Sequence, residues 1–112
     1  MNRKIMASRV VAASATVYSE VAGLADHMTS HAIQYVITGD GTCSITTYTG
    51  IGPDDWIKNS TVASSLTKTS GPGSDGKDTI PLSLKPGEQF RADVTETGTS
   101  SSVTLDMWFV QK

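Results

Sequence analysis

Ile80-Pro81-Leu82-Ser83-Leu84, Gln89-Phe90-Arg91-Ala92-Asp93-Val94 and Val103-Thr104-Leu105-Asp106-Met107-Trp108-Phe109-Val110 are three runs in which apolar residues fall on every second position. That period marks a strand with one buried face. Lys85-Pro86-Gly87-Glu88 separates the first two runs, and Gly98 with the following Ser and Thr residues separates the last two, so both gaps have turn composition. Residues 78–112 therefore read as a β-meander. In the last run the face opposite Met107 and Phe109 changes from Thr104 and Asp106 to Trp108 and Val110. A strand end that is apolar on both sides needs two covers. A partner subunit and the N-terminal segment of the same chain are the two candidates for the second.

Outward from this stretch the same alternation recurs. Residues 31–38 place Ile33, Tyr35 and Ile37 on one face, and residues 42–49 place Cys43, Ile45 and Thr47 on one face and Ser44, Thr46 and Tyr48 on the other. Gly39-Asp40-Gly41 between them offers the positive φ of a tight turn, so 31–49 reads as a hairpin. Residues 50–55 read as a loop, Trp56 and Ile57 restart burial, 61–67 is a further strand, and 70–76 is a turn-rich loop. Val11, Ala13, Ala15 and Val17 alternate as a weak strand, although the alanines also permit a short helix. Residues 21–30 have lost the pattern and read as a loop. Residues 1–9 read as a basic arm with little to hold it. The expected architecture is an all-β, antiparallel β-sandwich of about seven short strands, jelly-roll-like or Greek-key, formed by residues 10–112 behind the 1–9 arm.

Composition narrows the function classes. The chain has 112 residues, the size of one domain, and its ten Gly and four Pro with many Ser and Thr favour short strands and turns. Nine basic residues stand against eleven acidic ones, so nucleic acid is not an expected partner. Cys43 is the single cysteine, which excludes an intrachain disulfide and places a small hydrophobe on a strand. No apolar run reaches membrane-spanning length, and Arg9 followed by Thr16, Tyr18 and Glu20 interrupts the signal-like start, so neither a membrane nor a signal segment is expected.

Few constellations suggest chemistry. His27 and His31 have the i,i+4 spacing of a helical metal pair, but Met28-Thr29-Ser30 between them is not a helical sequence and no third ligand is evident. Asp75-Gly76-Lys77-Asp78 lacks the ligand spacing and closing Glu of a calcium loop. Neither a metal nor any other cofactor is expected. Asp54 and Asp55 beside Trp56, with Tyr48 on the preceding strand, form a possible ligand platform: an aromatic ring to stack on a sugar and carboxylates to accept its hydroxyls. The simpler reading is a turn at Pro53-Asp54-Asp55 whose acids cap backbone N–H groups. No Gly-x-Ser-x-Gly elbow or other catalytic motif is present, and the chain is not expected to be an enzyme.

The stretch from Ile80-Pro81-Leu82-Ser83-Leu84-Lys85-Pro86-Gly87-Glu88-Gln89-Phe90-Arg91 to Thr104-Leu105-Asp106-Met107-Trp108-Phe109 resembles small β-sandwich virion proteins of tailed bacteriophages. The resemblance covers roughly the last third of the chain. It implies a structural role on the capsid surface as a cement or decoration protein, a homo-oligomer and often a trimer, with the major capsid protein or other virion proteins as partners, made in the bacterial cytoplasm. Trp108, Val110, Arg3, Lys4 and Arg9 are the interface residues such a role would use. The alternative is a carbohydrate- or receptor-binding module of a tail fibre or baseplate, acting through Trp56, Tyr48, Asp54 and Asp55.

Overall fold

The computed structural model describes residues 2–52 and 54–112; the turn expected at Pro53 and the first residue of the expected arm lie outside them. Among the described residues nine strands run in chain order: β1 Asn2–Val11, β2 Thr16–Tyr18, β3 Ala22–Gly23, β4 His31–Thr38, β5 Cys43–Gly50, β6 Trp56–Leu66, β7 Lys77–Leu82, β8 Gln89–Glu96 and β9 Val103–Gln111. They form two antiparallel sheets, one in the order β1-β9-β4-β7 and one in the order β2-β8-β5-β6, with the short β3 also on β8. This is the strand order of a jelly-roll sandwich.

The crossings correct two local expectations. β7 lies in the first sheet, β8 in the second and β9 in the first again, so residues 78–112 are not a meander. β4 and β5 likewise lie in different sheets, and 39–41, with Gly39 at φ +95°, carries the chain across the sandwich instead of closing a hairpin. Alternation determines which side chains are buried but is blind to which strand lies alongside. Two consecutive strands bury the same residues whether they pair in one sheet or face each other across the core. The local hairpin that does form is β5–β6, with three register shifts.

The N-terminal segment differs most from expectation. Residues 2–11 are a paired strand against β9, and Ile5 and Met6 are only 1% and 3% exposed. Register shifts on either side of Met6, with Ser8 at φ +46°, let two adjacent residues turn inward where a regular strand would bury one. Arg3, Lys4 and Arg9 stay exposed. The chain then turns over 12–15, where the Ala15 N–H donates to the Ala12 carbonyl at 3.0 Å, so no helix forms there. The loop expected over 21–30 contains β3.

The core lies between the sheets. Phe90 from β8 stacks on Phe109 from β9 with centroids 4.2 Å apart and planes 8° from parallel, flanked by Ile33, Tyr35, Ile37, Ile45, Val94, Leu105 and Met107, all buried. Cys43 is fully buried, and desolvation, with Glu96 nearby, pushes its thiol up to about 11. Its thiolate is scarce at neutral pH. Removing Phe90 as Phe90→Ala should cost about 3–5 kcal/mol, read from the shift in a denaturant unfolding curve at unchanged slope.

At one end of the core the carboxylate of Glu96, 1% exposed, ties three turns together. Its oxygens accept the backbone N–H groups of Thr42 at 2.8 Å, Ser14 at 3.2 Å and Gly98 at 2.8 Å. A Cβ at Gly41 would lie 2.9 Å from Glu96 Oε2, so the β4–β5 crossing needs glycine at that close approach. The Thr42 bond foremost, then those from Ser14 and Gly98, hold the Glu96 carboxyl below its ordinary 4.5. A carboxyl depressed by folding stabilises the native state above its unfolded pKa and loses that contribution as pH falls through the folded one. Asp106, depressed by the Ser8 N–H and Lys4, acts in the same direction, whereas Asp93, raised by burial, acts in the opposite one. Unfolding free energy should therefore fall as pH drops below about 4.5, and Glu96→Gln should be less stable at pH 7 with a flatter acid limb. An acid limb of unchanged steepness in that variant would exclude Glu96 as its main source.

Candidate functional site

The same alternation that sends Phe90, Ala92, Val94 and Glu96 of β8 inward sends Arg91 and Asp93 to the outer face of the second sheet. Pairing places Tyr48 of β5 opposite Arg91, and Tyr18 of β2 opposite Asp93. Trp56 opens β6 opposite Gly50. Four adjacent strands thus contribute to one diagonal band, Tyr18, Arg91, Tyr48 and Trp56, across three interstrand spacings or roughly 14 Å.

Arg91 is its centre. The guanidinium carbon lies 4.3 Å from the ring centroid of Tyr18 and 4.9 Å from those of both Tyr48 and Trp56. Its Nε donates to Asp93 Oδ1 at 2.9 Å and its Nη2 to Asp93 Oδ2 at 3.3 Å. Residues two apart on a strand share a face, which is why this side-on pair forms without a turn. The side chains are 18% and 11% exposed. Desolvation pushes the Asp93 carboxyl up, and the attraction and hydrogen bonding of Arg91 oppose it. The planar cation attracts each ring face while its fork fixes the carboxylate, so the rings are held in place before any ligand arrives. Gly50 matters here because a Cβ would lie 2.5 Å from the Asp55 carbonyl and 3.1 Å from Trp56 Cε3. The bare backbone leaves room for the indole.

Of the platform proposed from sequence, Trp56 and Tyr48 come together, joined through Arg91. Asp54 and Asp55 are exposed in the loop before Trp56, and the carboxylate inside the cluster is Asp93 instead. Tyr18, Arg91 and Asp93 join the cluster without any local sequence signal for that placement. Arg91 and Asp93 alternate with core residues and so were legible as outward-facing, but their proximity to Tyr48 depends on a β5–β8 pairing that local sequence does not reveal. His31 opens β4 and stacks on Phe109 with centroids 5.9 Å apart, while His27 lies exposed in a turn. Among the described residues no group of three or more His, Cys, Asp or Glu is placed to hold a metal ion.

The expected interface residues lie elsewhere. Trp108 and Val110 are half-buried on the outer face of the first sheet. β1 runs beside them as an edge strand, with Lys4 opposite Trp108, and does not lie over them. Lys4 Nζ sits 4.9 Å from the Trp108 ring and 3.1 Å from Asp106 Oδ1. Arg3 approaches Glu20 at 3.9 Å, an exposed pair of small energetic weight. Arg9 borders a cleft between β1 and β2.

No protein-family model matches the chain, and no curated protein matches it. Among solved structures it is similar to a low-affinity xylan-binding module from the gut symbiont Roseburia intestinalis, at 15% identity and a TM-score of 0.45 over 99% of this chain and 84% of that one. Likeness of that degree leaves the ligand to be argued from the side chains.

Proposed function

We propose that this protein is a non-enzymatic carbohydrate-binding module that works through the outer face of the β2-β8-β5-β6 sheet. The observation behind the reading is the row of three aromatic residues on adjacent strands, organised around one paired guanidinium. A pyranose ring has an apolar C–H face and a rim of hydroxyls, and an open aromatic surface edged by polar groups complements both. Aromatic rings offer large contact area with few rotatable bonds, so a prearranged set loses little entropy on binding. Asp93, 9% exposed and bonded side-on by Arg91, serves to fix the guanidinium among the rings. Binding without turnover fits such a cluster.

On the opposite face Trp108 lies under Lys4, which also pairs with Asp106. The resemblance of the C-terminal third to virion proteins is the ground for placing a glycan-binding module in a tail fibre or baseplate. A glycan array probed with wild type, Trp56→Ala and Trp108→Ser tests the reading. Binding should appear in wild type, fall tenfold or more in Trp56→Ala, about 1.4 kcal/mol, and persist in Trp108→Ser. Unchanged binding in Trp56→Ala, or loss confined to Trp108→Ser, would reject the site.

A further inference from the structure

The band does not end at Tyr18. The open side of the sandwich, between edge strands β1 and β2, holds a cleft of about 310 Å³ lined by Ile5, Met6, Arg9, Tyr18, Ser19 and Glu20. That volume is at the lower limit for small-molecule sites. Tyr18 belongs to both places, lining the cleft and meeting Arg91 within the band. Its residue exposure of 58% leaves ring surface for a ligand between them. Ile5 and Met6, turned inward together by the register shifts of β1 and only 1% and 3% exposed, close the floor of the cleft as part of the core.

Charge distinguishes the two ends of the band. At the Trp56 end stand Asp54 and Asp55, with Glu88 close by because its backbone N–H donates to the Gly50 carbonyl at 2.8 Å, against the exposed Lys58 opposite Tyr48. At the Tyr18 end stand Arg9, Arg3 and Glu20. Glu20 is drawn toward Arg3 at 3.9 Å, and Arg9 has no carboxylate within ion-pair distance among the described residues. One end is therefore acidic on balance, and the other presents a guanidinium beside an aromatic ring.

We propose that this cleft is a terminal subsite for an acidic sugar, a uronic acid at the end of a glycan lying along the band, with Arg9 pairing its carboxylate and Tyr18 flanking its ring. The inference rests on the carbohydrate reading of the sheet face and adds an orientation to it. The acid end of the ligand lies over β2, away from the carboxylates near Trp56. A fork-shaped donor set suits a planar carboxylate, and an exposed pair of this kind gains most at low salt.

The test compares a trisaccharide of two neutral sugars ending in one galacturonate with its methyl ester, which keeps the sugar chain and removes the charge, by calorimetric titration at low salt. Wild type should bind the acid at least fivefold more tightly than the ester. Arg9→Gln should bind both alike, Arg9→Lys should recover part of the preference, and added salt should reduce it. Equal binding of the two probes by wild type, or a preference that survives in Arg9→Gln, would overturn the inference. If that happens while Trp56→Ala still weakens both probes, the face remains a glycan site and only the acidic subsite is lost. Absence of binding to either probe would overturn the subsite too, leaving the array result to decide the face.

Discussion

Alternate residues of β8 go to the core and to the candidate site. Its inward residues include Phe90, stacked across the sandwich on Phe109, and Glu96, which gathers the N–H groups of three turns. Its outward residues include Arg91 and Asp93, the centre of the aromatic band. A slip of one residue would exchange the two sets, placing a guanidinium in the core and a phenyl ring in water. Core and candidate site are thus fixed by one register. The site sits on a strand paired on both sides, by β5 and by β2, and not on a loop. That placement gives the rings a rigid base.

The jelly-roll crossings decide what meets on each face. Because β8 leaves β7 for the other sheet, Arg91 comes to lie between Tyr18 and Tyr48, residues separated from it by 73 and 43 positions. The same crossings keep the two tryptophans apart, Trp56 beside Arg91 and Trp108 beneath Lys4. Each indole meets a cation, but in different settings. Arg91 is shielded and held by a carboxylate two residues away on its own strand, whereas Lys4 reaches across from an edge strand and remains 44% exposed.

Burial was largely legible in the sequence and adjacency was not. The inward positions of Ile33, Ile37, Ile45, Val94, Leu105 and Phe109 follow from alternation alone, because water exclusion acts on each strand separately. Whether 31–38 and 42–49 pair, or face each other across the core, depends on contacts between strands distant in the chain. Residues 2–11 hide their strand for another reason. Ile5 and Met6 are consecutive, fit no regular period, and become a core element only where β9 induces a bulge. For the site, Tyr48 and Trp56 stood out by residue type, while Arg91 and Asp93 looked like ordinary exposed strand residues until their neighbours were known.

On the proposed reading, ligand meets the face carrying Arg91 and not the face carrying Lys4. The sequence has two tryptophans, one on each face, so their indole N–H signals in a ¹H–¹⁵N spectrum report the two faces separately. The direct measurement is a titration of the labelled protein with a glycan that scores on the array. A saturable shift of the Trp56 indole together with the Arg91 Nε–H, and a stationary Trp108 indole, is the predicted result. Movement of Trp108 with Trp56 unmoved would place the ligand on the wrong face and overturn that reading.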